Sequence, residues 1–270
     1  MEADDGGNRV RLEKALAAAP PWAGSWDAFA WPSRARVRDV LLGGKDHYAV
    51  DRQAVAELAD AWPQIAQAAA SLRAALHATV AHAVGELGIR QVLVTDYGYP
   101  TATTSGPDLH TTAQRATGDG VTVVYLEPDP IAAAHLRAGA HPGTVLRADI
   151  AADPVRAVAL AADEGGYDPA LPVCVLLPEA LSRAGDPARI LRTLARVLAP
   201  GSLLMAAAPP DLAPARHAAA LAAHHHMPFH TRTHDQLRAL LAGAGLRPSP
   251  GTGRDQGACL VTALVGGEHG

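Results

Sequence analysis

Five short apolar runs alternating with amphipathic helical stretches put this chain in the α/β class, with a mostly parallel sheet covered on both faces. The runs are Gln91–Thr95, Val121–Leu126, Thr144–Arg147, Val173–Leu177 and Ser202–Ala207. Helices are expected between them at Asp108–Ala116, Pro130–Arg137, Pro154–Ala162 and Pro187–Leu198. A second observation is the change of rhythm near residue 86, since everything before it reads as helix or loop. The expected organisation is an N-terminal helical cap over residues 1–86 and an α/β domain over 87–270.

In chain order, residues 1–8 read as disordered, and Val10–Ala18 suits a short helix stopped by Pro20-Pro21. Pro32-Ser33 is a helix start, with Val37, Val40 and Leu41 on one face up to Gly43-Gly44. Asp51 suits the cap of a helix reaching about Ala61. Pro63–Val84 is a long alanine-rich helix whose stripe is Ile65, Leu72, Leu76 and Val80. Beyond the strands, Thr233–Ala244 is one more helix. Leu246–Pro250 and Ala258–Val265 close the sheet as a hairpin, because the Gly- and Asp-bearing link between them holds no helix.

Composition bounds the function. The chain has 270 residues, of which 49% are hydrophobic but only 4% aromatic, so the core is built from Ala, Val and Leu. The net charge of −4 comes without a basic block, which disfavours nucleic acid as a partner. Nowhere do eighteen apolar residues run together and the N-terminus is acidic, so a cytoplasmic protein without membrane contact is expected. Cys174 and Cys259 lie in apolar runs and read as buried small residues. Oligomeric state is not written in the sequence, and a homodimer stays open. His224-His225-His226, with His217, His230 and His234 nearby, resembles a metal tract. Consecutive histidines on a helix point apart, however, and the run carries no Cys or acid at ligand spacing, so no metal site is expected.

In a Rossmann-like sheet, ligands bind at the carboxyl ends of the strands where strand order reverses. Those ends carry Asp96-Tyr97-Gly98 after the first strand, Glu127 after the second, Asp149 after the third and Pro178-Glu179 after the fourth. An acid after the second strand suits the two hydroxyls of a ribose, and one after the third suits an adenine amino group. The ordered series points to an adenosyl ligand.

Specific blocks then resemble a large actinomycete-type family of S-adenosylmethionine-dependent methyltransferases, mostly without assigned substrates. They are Pro-Ser-x-Ala-Arg-Val and Leu-Leu-Gly-Gly-Lys-Asp within Pro32–Asp46, Asp51-Arg52, Gly88-Ile89-Arg90-Gln91, Pro100-Thr101, Val123-Val124-Tyr125, Asp129-Pro130, Ala148-Asp149 and Leu198–Ser202. The resemblance runs in order over about residues 31–265. It implies a class I methyltransferase fold, with a seven-stranded sheet, an antiparallel last strand and a helical cap near the cofactor. Carried onto this chain, the cofactor-binding set is Lys45, Asp96, Gly98, Thr101, Glu127, Asp149 and Ile150. Glu179 and His47 are the candidates to face the acceptor.

The chain also departs from that family. The family loop reads Asp-x-Gly-x-Gly-x-Pro-Thr, where this chain has Val94 for the acid and Asp96 for the first glycine, keeping Gly98. The family acid after the second strand is Asp, and here it is Glu127. A family Leu-His-Phe corresponds to Leu181-Ser182-Arg183, a family Asn before Arg73 is Leu72, and Thr103–Pro107 lengthens the loop. A carboxylate at Asp96 near the cofactor carboxylate costs about 3 kcal/mol at ~5 Å and an effective dielectric of about 20. Alternatively Asp96 is the lost acid moved two residues along the strand, which keeps the same face of the sheet.

The expected function is S-adenosylmethionine-dependent methyl transfer to a small molecule. Two alternatives stand beside it: a degenerate member that binds or regulates without methylating, and a pocket turned to chemistry other than methyl transfer with the cofactor structural or absent. Glu179 reads as a general base or acceptor anchor, or else as a helix N-terminal acid held by the dipole. Lys45 and Asp46 are also readable as a turn ion pair.

Overall fold

The computed structural model describes residues 29–100, 108–118, 120–139, 143–249, 254–255 and 258–266. The N-terminal readings (residues 1–8 and Val10–Ala18), the loop Thr103–Pro107 and the candidate Thr101 lie outside the described residues.

Among the described residues three helices come first: α1 (Arg34–Leu41), α2 (Ala49–Ala61) and α3 (Ile65–Gly85). Ser33 caps α1 by accepting from the Arg36 amide. The cap of α2 is Tyr48, three residues before the Asp51 expected there, so Asp51 sits in the first turn and accepts from the Tyr48 amide at 2.8 Å. The same fully buried carboxylate accepts from Arg36 Nε at 2.7 Å and from the Ser33 amide at 3.1 Å, fastening α1 to α2.

Strands and helices then alternate as β1 (Gln91–Thr95), α4 (Leu109–Thr117), β2 (Thr122–Leu126), α5 (Pro130–Ala138), β3 (Thr144–Leu146), α6 (Pro154–Gly165) and β4 (Cys174–Leu177). They continue as α7 (Ala180–Arg183), α8 (Pro187–Val197), β5 (Leu203–Ala208), α9 (Ala213–His224), α10 (His234–Gly243), β6 (Arg247–Pro248), β7 (Arg254–Asp255) and β8 (Ala258–Leu264). An aspartate accepts from first-turn amides at the start of α4, α5, α6 and α8, and proline follows it in the last three. Two helices were not expected. The turn α7 is too short to carry a period, and α9 is so alanine-rich that its inward face (Ala215, Ala218, Ala222) is hard to tell from its outward one.

The sheet runs β3-β2-β1-β4-β5-β8-β6, with β7 paired to β8. β1 to β5 are mutually parallel and β8 is antiparallel to both β5 and β6, so the expected hairpin closes the sheet. This is the class I methyltransferase-like fold. Alternate strand residues divide the core. Leu93, Val124, Val175 and Leu204 pack with Val158, Ile190, Leu194 and Leu237 on one face. Val92, Val94, Tyr125, Leu176 and Met205 pack with Leu76, Val80, Leu109 and Leu136 on the other. The second half of α3 thus belongs to the layer flanking the sheet. A third cluster (Val37, Leu58, Trp62, Ile65, Ala218, Met227) joins α1, α2 and the start of α3 to α9.

The amino ends of the central strands are closed by uncharged side chains. Gln91, 5% exposed, donates to the Asp168 carbonyl at 3.0 Å and accepts from the Asp168 amide at 2.6 Å. Fully buried Ser202 accepts from the Val173 amide and donates to the Ala199 carbonyl at 2.7 Å. Cys174 is also buried, which pushes its thiol up to about 12, whereas Cys259 is only part-buried. No helix among the described residues is long and apolar enough to cross a membrane.

Candidate functional site

Strand order reverses between β1 and β4, and their carboxyl ends deliver Asp96 and Glu179 to the same crevice. A polar cavity of about 260 Å³ lies there, lined by Asp96, Gly98, Glu127, Asp149, Glu179 and Arg183 among others. An apolar cavity of about 140 Å³ adjoins it beneath the helical cap, walled by Leu58, Trp62, Ile65, Leu72, Met227 and Phe229. Arg34, Arg38, Glu179 and Met227 line both.

Asp96 is 5% exposed and has φ +48, in the left-handed region that Asp enters more readily than most side chains. Its Oδ1 lies 2.8 Å from the Arg183 guanidinium, while its buried Oδ2 has no hydrogen-bond partner. Burial raises the Asp96 carboxyl above its ordinary value, against the pull of Arg183. Two residues on, Gly98 has φ +77, and an added Cβ would stand 3.3 Å from Arg38 Nη1. The Gly98 amide donates to Glu127 Oε2 at 2.8 Å, and the Asp129 amide to Oε1 at 3.1 Å. Burial, followed by the charge of Asp96, lifts Glu127 to about 8, so near neutral pH this acid holds its proton.

Arg183 reaches from the short α7 across the polar cavity. It bonds both oxygens of Asp149, at 2.6 and 3.0 Å, as well as Asp96. Burial opposes its charge, but the two carboxylates outweigh burial and hold its pKa above the ordinary arginine value. In return Arg183 outweighs the burial of Asp149 and keeps that carboxyl below its usual range. The acid expected to meet an adenine amino group is therefore engaged by the protein itself.

On the cap side, Arg38 donates through Nε to Glu179 Oε1 at 3.0 Å, forms a second contact through Nη2, and reaches the Asp96 carbonyl with Nη1. Arg38 and Arg34 overcome the burial of Glu179 and hold its carboxyl below the usual range. Glu179 is thus an ionised, paired group and a weak proton acceptor.

The structure brings Asp96, Gly98, Glu127, Asp149 and Glu179 together, but not His47, Lys45 or Ile150. His47 turns its Nδ1 to Asp39 Oδ2 at 2.9 Å and lines neither cavity. Asp39 also accepts from the Asp46 amide at 2.8 Å, and a Cβ on Gly44 would overlap the Asp39 carboxylate, so the Gly-Gly-Lys-Asp block is a turn folded on a buried aspartate. Lys45 is exposed on that turn and lines neither cavity. Ile150 is 1% exposed in the core under the sheet, because the residue after Asp149 points away from the crevice. In the histidine run, His225 meets Glu57 at 2.8 Å and His226 packs edge-on against Trp31. Sequence reasoning passed over Arg34 and Arg38, which read as solvent charges on an amphipathic helix. The one available signal was the crevice of acids, which needs counter-charges.

A class I sheet with an acid after each of its first four strands, the first two divided by a glycine at positive φ, defines a methyltransferase-like protein. The chain belongs to the S-adenosyl methyltransferase family, whose profile matches residues 27–252. It is similar to the crystal structure of a DUF574 family protein from Streptomyces avermitilis, at 26% identity and TM-score 0.76 over 87% of this chain and 98% of that one. A candidate methyltransferase from Thermobifida fusca is similar at 25% identity and TM-score 0.77, over 91% of this chain and 99% of that one. A search of curated proteins found no match.

Proposed function

We propose that this chain uses S-adenosylmethionine to methylate a small molecule. The reading is carried by one observation: a polar cavity over the strand ends opens onto an apolar cavity under the cap, and Arg38 and Glu179 stand at the junction of the two. The residues present suit the cofactor at two points. The buried, unpartnered Oδ2 of Asp96 suits an ammonium group. Glu127, once ionised, suits a pair of ribose hydroxyls while still accepting from Gly98. Bound there, the cofactor supplies an electrophilic methyl group. The task of the chain is alignment, with the cap walls excluding water and the Arg38–Glu179 pair fixing the border between donor and acceptor.

The adenine end differs, because Arg183 holds both oxygens of Asp149. An adenine amino group has to share that carboxylate or displace the guanidinium. This contact favours the second reading, a family member that binds without methylating, more than any other feature does.

Calorimetry with S-adenosylmethionine and S-adenosylhomocysteine tests both readings. Binding of both, together with turnover of an acceptor, supports methyl transfer. Absence of heat and of any thermal shift at about millimolar ligand overturns it. Binding restored only by Arg183→Ala supports the second reading.

A further inference from the structure

The apolar cavity carries an excess of positive charge. Among the described residues Arg34, Arg38 and Arg73 line it, against the one carboxylate of Glu179. Arg38 is committed to Glu179. Arg34 donates to the Pro228 carbonyl. Arg73, 4% exposed, donates to the Tyr97 carbonyl at 3.0 Å and lies 3.9 Å from the centre of the Tyr97 ring. Neither Arg34 nor Arg73 has a carboxylate within ion-pair distance among the described residues. A guanidinium does not shed its proton, so the burial of Arg73 leaves a charge that a carbonyl and a ring face meet only in part, while the part-buried Arg34 adds a second charge at the cavity wall.

The same walls lack a base. Among the described residues no His, Lys, Asp, Tyr or Cys lines the apolar cavity, and Glu179 is ionised and paired. An alcohol or amine acceptor has to lose a proton during methylation, and this wall offers no group suited to take it. An acceptor that arrives as an anion needs no base. A cavity of about 140 Å³ has room for a body the size of one benzene ring.

We propose that the acceptor is a small carboxylic acid with a single-ring or similarly compact apolar body, its carboxylate set against Arg73 and Arg34 and its body against Trp62, Ile65 and Phe229. This rests on the methyl-transfer reading. In the step, one carboxylate oxygen forms the new bond to the methyl carbon. The sulfur–methyl bond breaks with its electron pair left on sulfur, and the positive and negative charges cancel in a neutral thioether and a neutral ester. No proton moves. The ester no longer carries the charge the guanidiniums attract, so it is held less tightly than the acid.

The test titrates the full chain with benzoate and with benzamide, its uncharged isostere, by calorimetry or ligand-observed NMR, with and without S-adenosylhomocysteine. Benzoate is expected to bind at least about tenfold more tightly than benzamide, and Arg34→Gln and Arg73→Gln to remove most of that advantage. Arg73→Lys, which keeps the charge, should restore part of it, and melting curves identify any variant that has failed to fold. Equal binding of the two compounds, or no binding of benzoate, overturns the proposal. So does an Arg73→Gln variant that weakens S-adenosylhomocysteine but not benzoate, because the guanidinium would then serve the cofactor's own carboxylate. Arginine-dependent benzoate binding without any S-adenosylhomocysteine binding overturns the methyl-transfer reading alone and leaves the anion site standing.

Discussion

The Asp96 carboxylate and the Arg183 guanidinium lie 2.8 Å apart, although 87 positions separate them in the chain. Both stand where the family resemblance expects something else, a glycine and a phenylalanine. The two departures meet in one ion pair. The charge of Asp96 beside the strand end is met by a counter-charge from the turn after β4, and Asp96 does not suit the buried crevice without it, whereas Arg183 keeps Asp149 as a second partner.

That coupling is measurable. Arg183→Phe alone leaves Asp96 buried without its partner and is expected to cost about 3 kcal/mol. Combining it with Asp96→Gly, which also relieves the positive φ, should recover part of the loss, with a coupling energy of ~1–3 kcal/mol. Urea unfolding of the two single variants and the double variant checks this, and strict additivity refutes it.

Asp96 also tests whether its carboxylate helps or repels the cofactor. With Arg183 answering the charge at Oδ1 and Oδ2 left free, Asp96→Asn is expected to weaken S-adenosylhomocysteine by about tenfold. Tighter binding, measured by calorimetry, would mean that the charge intrudes.

Glu127 ties affinity to pH. Ribose hydroxyls donate to a carboxylate, so binding favours the ionised form of a group whose value in the free protein is about 8. Affinity should therefore rise with pH until about 8 and then level off, and binding near neutral pH should release a proton. Calorimetry in two buffers of different ionisation enthalpy reads that proton as a difference in heat. Equal heats contradict the assignment.

The same group acts on stability with the opposite trend. Its folded-state value lies above its ordinary 4.5, so the folded chain keeps a proton that the unfolded chain gives up. The contribution is full below about 4.5 and is lost as pH rises through about 8, on the order of a few kcal/mol in all. Glu127→Gln should flatten this slope in denaturant midpoints taken at about pH 6 and about pH 9.

Gly44→Ala places a methyl group on the Asp39 carboxylate and should cost ~2–4 kcal/mol, through the turn rather than the site. His47→Ala removes one contact from the same carboxylate and should cost ~1–2 kcal/mol. Thermal melts with ligand titration separate the two effects, since neither change should alter intrinsic ligand affinity.

The strands were legible because they are buried on both faces and so read as unbroken apolar runs, as Cys174–Leu177 does. The strand-end acids were legible for the same reason: Asp96, Glu127 and Glu179 are each the first charged residue after such a run, while Asp149 stands two residues beyond Arg147. What escaped were relations through space. Arg183 in sequence is a lone cation after an apolar turn, and nothing local ties it to Asp96 and Asp149. Arg34 and Arg38 fit the polar face of an amphipathic helix, and only the packing of α1 over the crevice turns them inward. His47 and Lys45 sit in a specific block, but its specificity comes from Asp39 filling the space beside Gly44. For Ile150 the reason is direction, since it follows a crevice acid on the opposite side of the backbone.

Gln91 and Ser202 give the sheet a neutral seal at its amino ends, while its carboxyl ends are held by ions. Salt and acidity therefore act on one end of the molecule and leave the other largely unaffected. Amide exchange, corrected for its intrinsic pH dependence, should divide along the same axis: slow beside Gln91 in acid as at neutral pH, and faster beside Asp96 once acid protonates the carboxylates that hold the crevice.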